Sequence, residues 1–149
     1  MKCGDIIRLE HGQTSKNLHS HDIQSPITRQ NEVSAYGNDG EGDAGDNWKI
    51  ECINPSTGLL SNSNDILLGS TVFQLKHVLT GGYLTCERRG EYTHGNCPNC
   101  PIVGDLEVIG NKRGGNSAAQ RWSVHSGMFF PMDAAKSSGK DDDELLDDM

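Results

Sequence analysis

This 149-residue sequence has no long apolar run and no basic stripe. The first absence excludes a membrane-spanning helix, which needs about 20 consecutive apolar residues. The second removes the electrostatic footprint of a nucleic-acid binder. The body of the chain also lacks a long amphipathic helical run, which argues against an α/β fold. Hydrophobic residues make up 34% of the chain, short of the roughly 45–50% usual in globular chains when glycine is counted with them. The apolar material is spread over short stretches between Gly, Asn, Asp and Ser clusters, a spacing that predicts an all-β sandwich or barrel. The N-terminal MKCGDIIRLEH has no apolar signal-peptide core, so no secretion signal is expected in the sequence as written. The Asn54-Pro55-Ser56 triplet is blocked by its proline as a glycosylation acceptor. No GxSxG, no Gly-rich phosphate loop entering a helix and no HExxH occurs, and no nucleophile–base set is visible.

What is present is an internal duplication. Residues 7–21 read IRLEHGQTSKNLHSH and residues 73–87 read FQLKHVLTGGYLTCE. Leu9, His11, Thr14 and Leu18 match Leu75, His77, Thr80 and Leu84 at a constant offset of 66 residues. Further marks follow in the same order: Glu32-Val33 answers Glu107-Val108, and Trp48-Lys49-Ile50 answers Trp122-Ser123-Val124. Repeats bury faces that one unit cannot bury alone, so the number of copies bears on the fold. In the first copy, strands are expected around Ile6 and Leu9, over residues 18–21, over 31–36 and over 48–52, separated by turns and by an acidic, Gly-rich loop at 37–47. Trp48 and Trp122 are expected to form a core layer of the repeat.

The formal charge of −8 is unevenly placed, since residues 136–149 hold six acids and two lysines. That end is expected to be a disordered acidic tail. The five cysteines are Cys3, Cys52, Cys86, Cys97 and Cys100, and the odd number leaves at least one unpaired within the chain. A secreted origin would favour disulfides and a cytosolic one free thiols.

Three constellations can carry chemistry. His19 and His21 are two apart and share a strand face, where with a third ligand they could hold zinc or copper. Their counterparts in the second copy are Thr85 and Glu87, a poor site, so the pair reads as hairpin histidines bonded to backbone, and no metal is expected. Cys97-Pro98-Asn99-Cys100 can be a local disulfide, a pair of free thiols, half a zinc site with Cys86 and His94, or a redox pair. Its prolines and surrounding Gly and Asn place it in a loop. Asp39, Glu41, Asp43 and Asp46 resemble a calcium loop in composition, but an EF-hand started at Asp39 would need Gly and Glu where Ala44 and Ile50 stand. A solvated acidic turn is the simpler expectation.

CGDIIRLEHGQTSKNLHSHDIQSP followed by NEVSAYGNDGEGDAGDNWKIEC resembles the middle MIR repeat of the stromal cell-derived factor two family. LHSH, the NEVSAYG segment and the GEGD–Trp loop carry the likeness together. TGGYL and the WSVHSGMFFP ending are similar to the family's third repeat. The resemblance implies a β-trefoil of three four-stranded units, with two of the three present here and so an incomplete trefoil. Residues 2–52 would be repeat two, 53–65 a linker, 66–131 repeat three with an insertion at 88–105, and 132–149 the tail. MIR repeats also occur in protein O-mannosyltransferases and in large intracellular calcium-release channels.

The family implies a non-catalytic binding module of the endoplasmic reticulum lumen. It would work with a J-domain co-chaperone and a BiP-type chaperone on unfolded clients, with no cofactor. The stretch Asp142-Asp143-Glu144-Leu145 is similar to a retention signal but is followed by four more residues, whereas such signals are read at the extreme end. Candidate contact surfaces are the hairpin residues His19, His21 and Asp22 and the loop residues Asp39, Glu41 and Asp43. An alternative is a carbohydrate-binding trefoil using Tyr36, Tyr83 and Trp122, and a third reading is a redox protein using Cys97 and Cys100. Cys3 and Cys52 lie at the two ends of the first unit and can pair; otherwise Cys3 has a partner in the repeat that is lacking. An open trefoil edge invites pairing with another chain, so the isolated chain is expected to be unstable, to aggregate or to self-associate.

Overall fold

Short strands dominate the computed structural model, which describes residues 1–61, 64–113 and 117–125. They are β1 (Ile6–Ile7), β2 (Glu10–His11), β3 (Lys16–Gln24), β4 (Asn31–Tyr36), β5 (Trp48–Cys52), β6 (Val72–His77), β7 (Tyr83–Glu91), β8 (Leu106–Asn111) and β9 (Trp122–Ser123). Two 3₁₀ turns, Ala44–Asp46 and Ala118–Gln120, precede β5 and β9. All pairing is antiparallel, in the order β1-β5-β6-β7-β8-β4-β3-β2, with β9 on β6. Because β1 and β2 are separated only by Arg8 and Leu9, the two ends of that path meet and the sheet curls back on itself. The fold is all-β and consistent with a β-trefoil.

The duplicated residues adopt duplicated geometry. In the first unit β1 pairs β5 with Ile6 opposite Lys49 and Ile7 opposite Trp48. In the second, β6 pairs β9 with Val72 opposite Ser123 and Phe73 opposite Trp122, the same register. The hairpins agree as well: Leu18, His19 and Ser20 face Ala35, Ser34 and Val33, while Leu84, Thr85 and Cys86 face Gly110, Ile109 and Val108. Trp48 Nε1 donates to the Leu18 carbonyl at 2.9 Å, and Trp122 Nε1 donates to the Leu84 carbonyl at 3.2 Å. His11 Nδ1 lies 2.9 Å from Thr14 Oγ1, and His77 Nδ1 lies 2.8 Å from Thr80 Oγ1. The matched tryptophans thus bridge the ends of their units, and the matched histidines pin the first turns.

The core is Trp48, Ile50, Cys52, Phe73, Leu75, Leu84 and Cys3, with Ile7, Leu18, Val33, Val108 and Trp122 packed against it. It is built where β5 of the first unit lies on β6 of the second, with Trp48 opposite His77 and Ile50 opposite Leu75. A disulfide joins Cys3 to Cys52 inside it, across a sequence separation of 49. Cys97 and Cys100 form a second, local one, which removes them as zinc ligands, and Cys86 is a free thiol.

His77 is fully buried at this junction. Its Nε2–H donates to the Gly45 carbonyl of the first unit at 2.8 Å, while Nδ1 accepts from the Thr80 backbone N–H at 3.2 Å. Both nitrogens are therefore committed in the neutral ring, and desolvation depresses the His77 pKa below its usual value. Unfolded His77 takes up a proton near pH 6.5, whereas the folded ring resists it. Stability should be level above that pH and fall as pH drops below it, down to the folded pKa. Urea midpoints measured across pH 5 to 8, on the order of half a unit apart, would show this. An undiminished acid-side slope in His77→Gln would assign the loss to another group.

The structure departs from the sequence reading at the first strand. The first strand is split into β1 and β2, with the Arg8 guanidinium bonded to Asn47 Oδ1 and the Asp43 carbonyl at 2.9 Å each. Within the segment at 53–65 an isolated bridge joins Ile53 to Leu60, and Ile66 just beyond it bridges to Lys2. In the region where an insertion is expected at 88–105, β7 stays in strand through Glu91 and the next strand begins at Leu106. The tail at 132–149 and the end of the WSVHSGMFFP motif lie outside the described residues.

Candidate binding surface

The β3–β4 hairpin and the acidic loop that follows it form one continuous region. Gly37 opens the loop with a φ of 95°, and a Cβ there would collide with the Glu41 carbonyl. Lys16 Nζ holds the same corner by donating to the Gly37 carbonyl at 2.9 Å and to Asn38 Oδ1 at 3.3 Å. A cavity of about 330 Å³ lies beside it, lined by Lys16, Tyr36, Asn38, Glu41 and Asp43 among others. The Tyr36 ring is half exposed and tilted over His19, with centroids 4.6 Å apart.

The loop is not the solvated turn the sequence predicts. Asp46 is completely buried. Its Oδ2 accepts from the Asp43 N–H at 2.7 Å, and Asp43 Oδ1 accepts from the Gly45 N–H at 2.7 Å, a capping box on the 3₁₀ turn. The other carboxylate oxygen of Asp46 sits 2.9 Å from His19 Nδ1. Gly45 lets the turn approach, since a Cβ at this position would run into the His19 ring.

The candidate residues therefore divide. His19 is only 6% exposed and works inward as the link between hairpin and loop, a correction to its reading as a contact residue. His21 is half-buried, with Nε2 at 3.1 Å from Glu32 Oε2 and its ring edge-on to His19 at 5.3 Å. The two imidazoles do share a strand face, yet each is paired with a different carboxylate. Asp22 accepts from Lys112 Nζ and Asn31 Nδ2, both at 3.1 Å, and the Lys112 hydrogen bond holds its carboxyl below the usual range. Asp39, Glu41 and Asp43 are exposed along the loop. Sequence reasoning placed Asp46 only in a failed calcium motif; it is the anchor of the loop, and its place just before Trp48 was the available signal.

His19, Asp43 and Asp46 bring three potential metal-ligand atoms within 4.8 Å of one another. All three groups are engaged in the capping box or the histidine bond, which give the cluster a structural role. The candidate sugar-stacking residues Tyr36, Tyr83 and Trp122 have different surroundings. Tyr83 spends its hydroxyl on Glu51 Oε2 at 3.0 Å and its ring under Lys76 Nζ at 5.4 Å, and Trp122 spends its N–H on Leu84. Only Tyr36 of the three lines the cavity described above.

A second cavity, about 240 Å³, lies between the two hairpins and is lined by Thr28, Glu87, Arg89, Glu107 and Arg113 among others. Glu107 is 3% exposed, and its carboxylate accepts from the Ile27 N–H at 2.8 Å and the Thr28 N–H at 3.2–3.3 Å. It ties the first unit's hairpin turn to the second unit. The mark shared by Glu32 and Glu107 is thus a pairing residue in one copy and a clasp between copies in the other.

Comparison with known proteins agrees with this architecture. The MIR domain family matches residues 1–98, which covers the first unit and runs into the second. A stromal cell-derived factor 2-like protein of Dictyostelium discoideum is 38% identical over 130 residues, spanning 87% of this chain and 53% of that protein. The chain spans about half the length of the curated relatives it matches over most of its own length. A dolichyl-phosphate-mannose–protein mannosyltransferase 6 of Saccharomyces cerevisiae is 42% identical over 87 residues, 54% of this chain and 12% of that one. The crystal structure of the SDF2-like protein from Arabidopsis thaliana superposes with a TM-score of 0.66 at 30% identity, covering 89% of this chain and 64% of the other. The repeated Trp and His geometry, the curled antiparallel sheet and these matches place the chain in the stromal cell-derived factor 2 family of MIR-domain proteins.

Proposed function

We propose that this chain is a non-catalytic binding module of protein quality control in the endoplasmic reticulum lumen. In this reading it joins a J-domain co-chaperone and a BiP-type chaperone in handling unfolded clients. The match to stromal cell-derived factor 2 relatives across nearly the whole chain carries the proposal. The Cys3–Cys52 disulfide supports the compartment, because core disulfides persist in oxidising lumens and are rare in the cytosol. The mechanism is surface recognition: a doubled β unit, stapled at Cys3–Cys52 and clasped at Glu107, presents the exposed acidic edge of Asp39, Glu41 and Asp43.

The test is a binding measurement between the full chain and a purified lumenal J-domain co-chaperone. Saturable binding that weakens at high salt and in Asp39→Asn/Glu41→Gln is the expected result, since an exposed acidic edge acts through screened charge. Absence of binding at concentrations well above those in the lumen would sink the reading. A carbohydrate-binding role is the second reading. It is favoured by the match to the mannosyltransferase and by the exposed Tyr36 ring at a polar cavity. O-mannosylated peptide binding that Tyr36→Ala abolishes, with no co-chaperone binding, would replace the first reading with this one.

A further inference from the structure

The cavity of about 240 Å³ between the two hairpins is edged by charges that the fold does not use. The duplication separates structural charges from free ones. Glu107 recurs as Glu32 in the first copy, and its carboxylate is taken up by the Ile27 and Thr28 N–H groups. Glu87, Arg89 and Arg113 instead stand where the first copy has His21, Ile23 and Asn38. The repeat therefore folds without these three charges. All three side chains are exposed, and none makes a hydrogen bond or ion pair among the described residues.

The same cavity is lined by donors that lack acceptors. Gln30 Oε1 accepts the Lys112 N–H at 3.3 Å, and Asn111 Oδ1 accepts the Arg113 N–H at 2.9 Å. Each amide thus commits its oxygen to the backbone, and neither NH₂ end has an acceptor among the described residues. With the guanidiniums of Arg89 and Arg113, four side chains from the two units have N–H groups to give. The acceptors are fewer. Glu107 is buried with both oxygens bonded, which leaves Glu87 as the free carboxylate of the lining. Ile27 and Ile109 add apolar wall. All of the lining lies between Ile27 and Arg113, on two hairpins that pair directly through β4 and β8.

We propose that this cavity binds a peptide carboxylate, held by Arg89 and Arg113 and by the amide NH₂ groups of Gln30 and Asn111, while the neighbouring peptide N–H donates to Glu87. A planar guanidinium offers a carboxylate two parallel N–H donors, a match that an ammonium does not make. The formal charges of Arg89, Arg113, Glu87 and Glu107 sum to zero. That balance suits a singly charged group with a donor beside it and disfavours a doubly charged phosphate. The volume is below the roughly 300–1,000 Å³ of pockets for drug-sized ligands, so one residue enters rather than a long segment. The carboxylate is either the end of a chain or an Asp or Glu side chain, since both place a carboxylate near a peptide N–H. The site shares no residue with the acidic edge of Asp39, Glu41 and Asp43, and it does not depend on the co-chaperone reading.

The test is a titration of the full, ¹⁵N-labelled chain with three small peptides. They are acetyl-Ala-Leu with a free carboxylate, the same peptide as its C-terminal amide, and acetyl-Ala-Glu as its C-terminal amide. Saturable shifts of the Gln30, Arg89, Asn111 and Arg113 signals are expected with a carboxylate-bearing peptide. The Ala-Leu amide should bind about tenfold more weakly or worse, because it cannot take up the charge-assisted bonds. Binding by the first peptide alone assigns the site to chain ends, and binding by the third alone assigns it to acidic side chains. Arg89→Gln/Arg113→Gln should lose about tenfold or more in affinity with an unchanged unfolding midpoint, since both side chains are exposed. Absence of shifts at these residues with either carboxylate peptide would overturn the proposal. So would equal binding of the Ala-Leu amide, unchanged affinity in the double variant, or inorganic phosphate displacing the peptide at lower concentration than acetate does.

Discussion

Removing the Cys3–Cys52 disulfide is expected to destabilise this chain more than any other single change at its cysteines. The bond closes a segment with a sequence separation of 49. Constraining a loop of that length in the unfolded chain is worth about 4 kcal/mol in the chain-entropy account. Cys3 and Cys52 are 4% and 3% exposed and belong to the core cluster, so serine there also places a hydroxyl among apolar side chains. Against a total stability of about 5–15 kcal/mol for a domain, the Cys3→Ser/Cys52→Ser chain should be marginal or unfolded at physiological temperature. Urea unfolding of the two forms, or of the native chain with and without reductant, measures the difference. The Cys97→Ser/Cys100→Ser pair is the control. That bridge spans a separation of only 3 in an irregular segment, so its loss should shift the midpoint far less. Equal midpoints for the Cys3–Cys52 variant and the native chain would show that the bond is not part of the folded core.

Trp48→Ala should cost about 3–5 kcal/mol, the range for emptying a buried large aromatic position. The side chain is 0% exposed, stands at the contact between the two units, and donates to the Leu18 carbonyl of its own hairpin. Trp48→Phe separates the contributions. It keeps most of the volume but leaves the Leu18 carbonyl unpaired, for which about 1–3 kcal/mol is expected. Trp122→Ala makes the same chemical change at the equivalent position, where the ring is half-buried. It should cost distinctly less. Denaturant midpoints for the four chains decide this; a Trp122→Ala loss as large as that of Trp48→Ala would contradict the asymmetry.

These predictions rest on features of unequal legibility. The doubled Leu–His–Thr–Leu pattern could be read from sequence because repeated units repeat their local hydrogen bonds. His11 to Thr14 and His77 to Thr80 are three residues apart, so spacing alone specifies them. The Trp marks were legible for a related reason: each ring needs a carbonyl partner from its own hairpin, and both hairpin and Trp recur in order. The acidic loop was misread because composition reports charge and not depth. Asp46 differs from Asp39 and Glu41 only in that the hairpin, 27 residues back in the chain, delivers His19 onto it. The clasp of Glu107 on Ile27 and Thr28 crosses about 80 residues, and no local pattern encodes a contact of that range.

By itself the sequence determined the all-β class, the two copies and their internal order, and the family to which they belong. Those follow from short-range periodicity and turn chemistry, which each unit carries whole. Only the tertiary structure decided that His19 points inward, that Asp46 is buried and that Cys3 meets Cys52 inside the core. It also decided that Leu9, His11, Trp122 and Val124 stand partly uncovered where their counterparts are buried. Burial is a property of what lies on the other side of a residue, and for the buried positions the other side comes from a distant part of the chain.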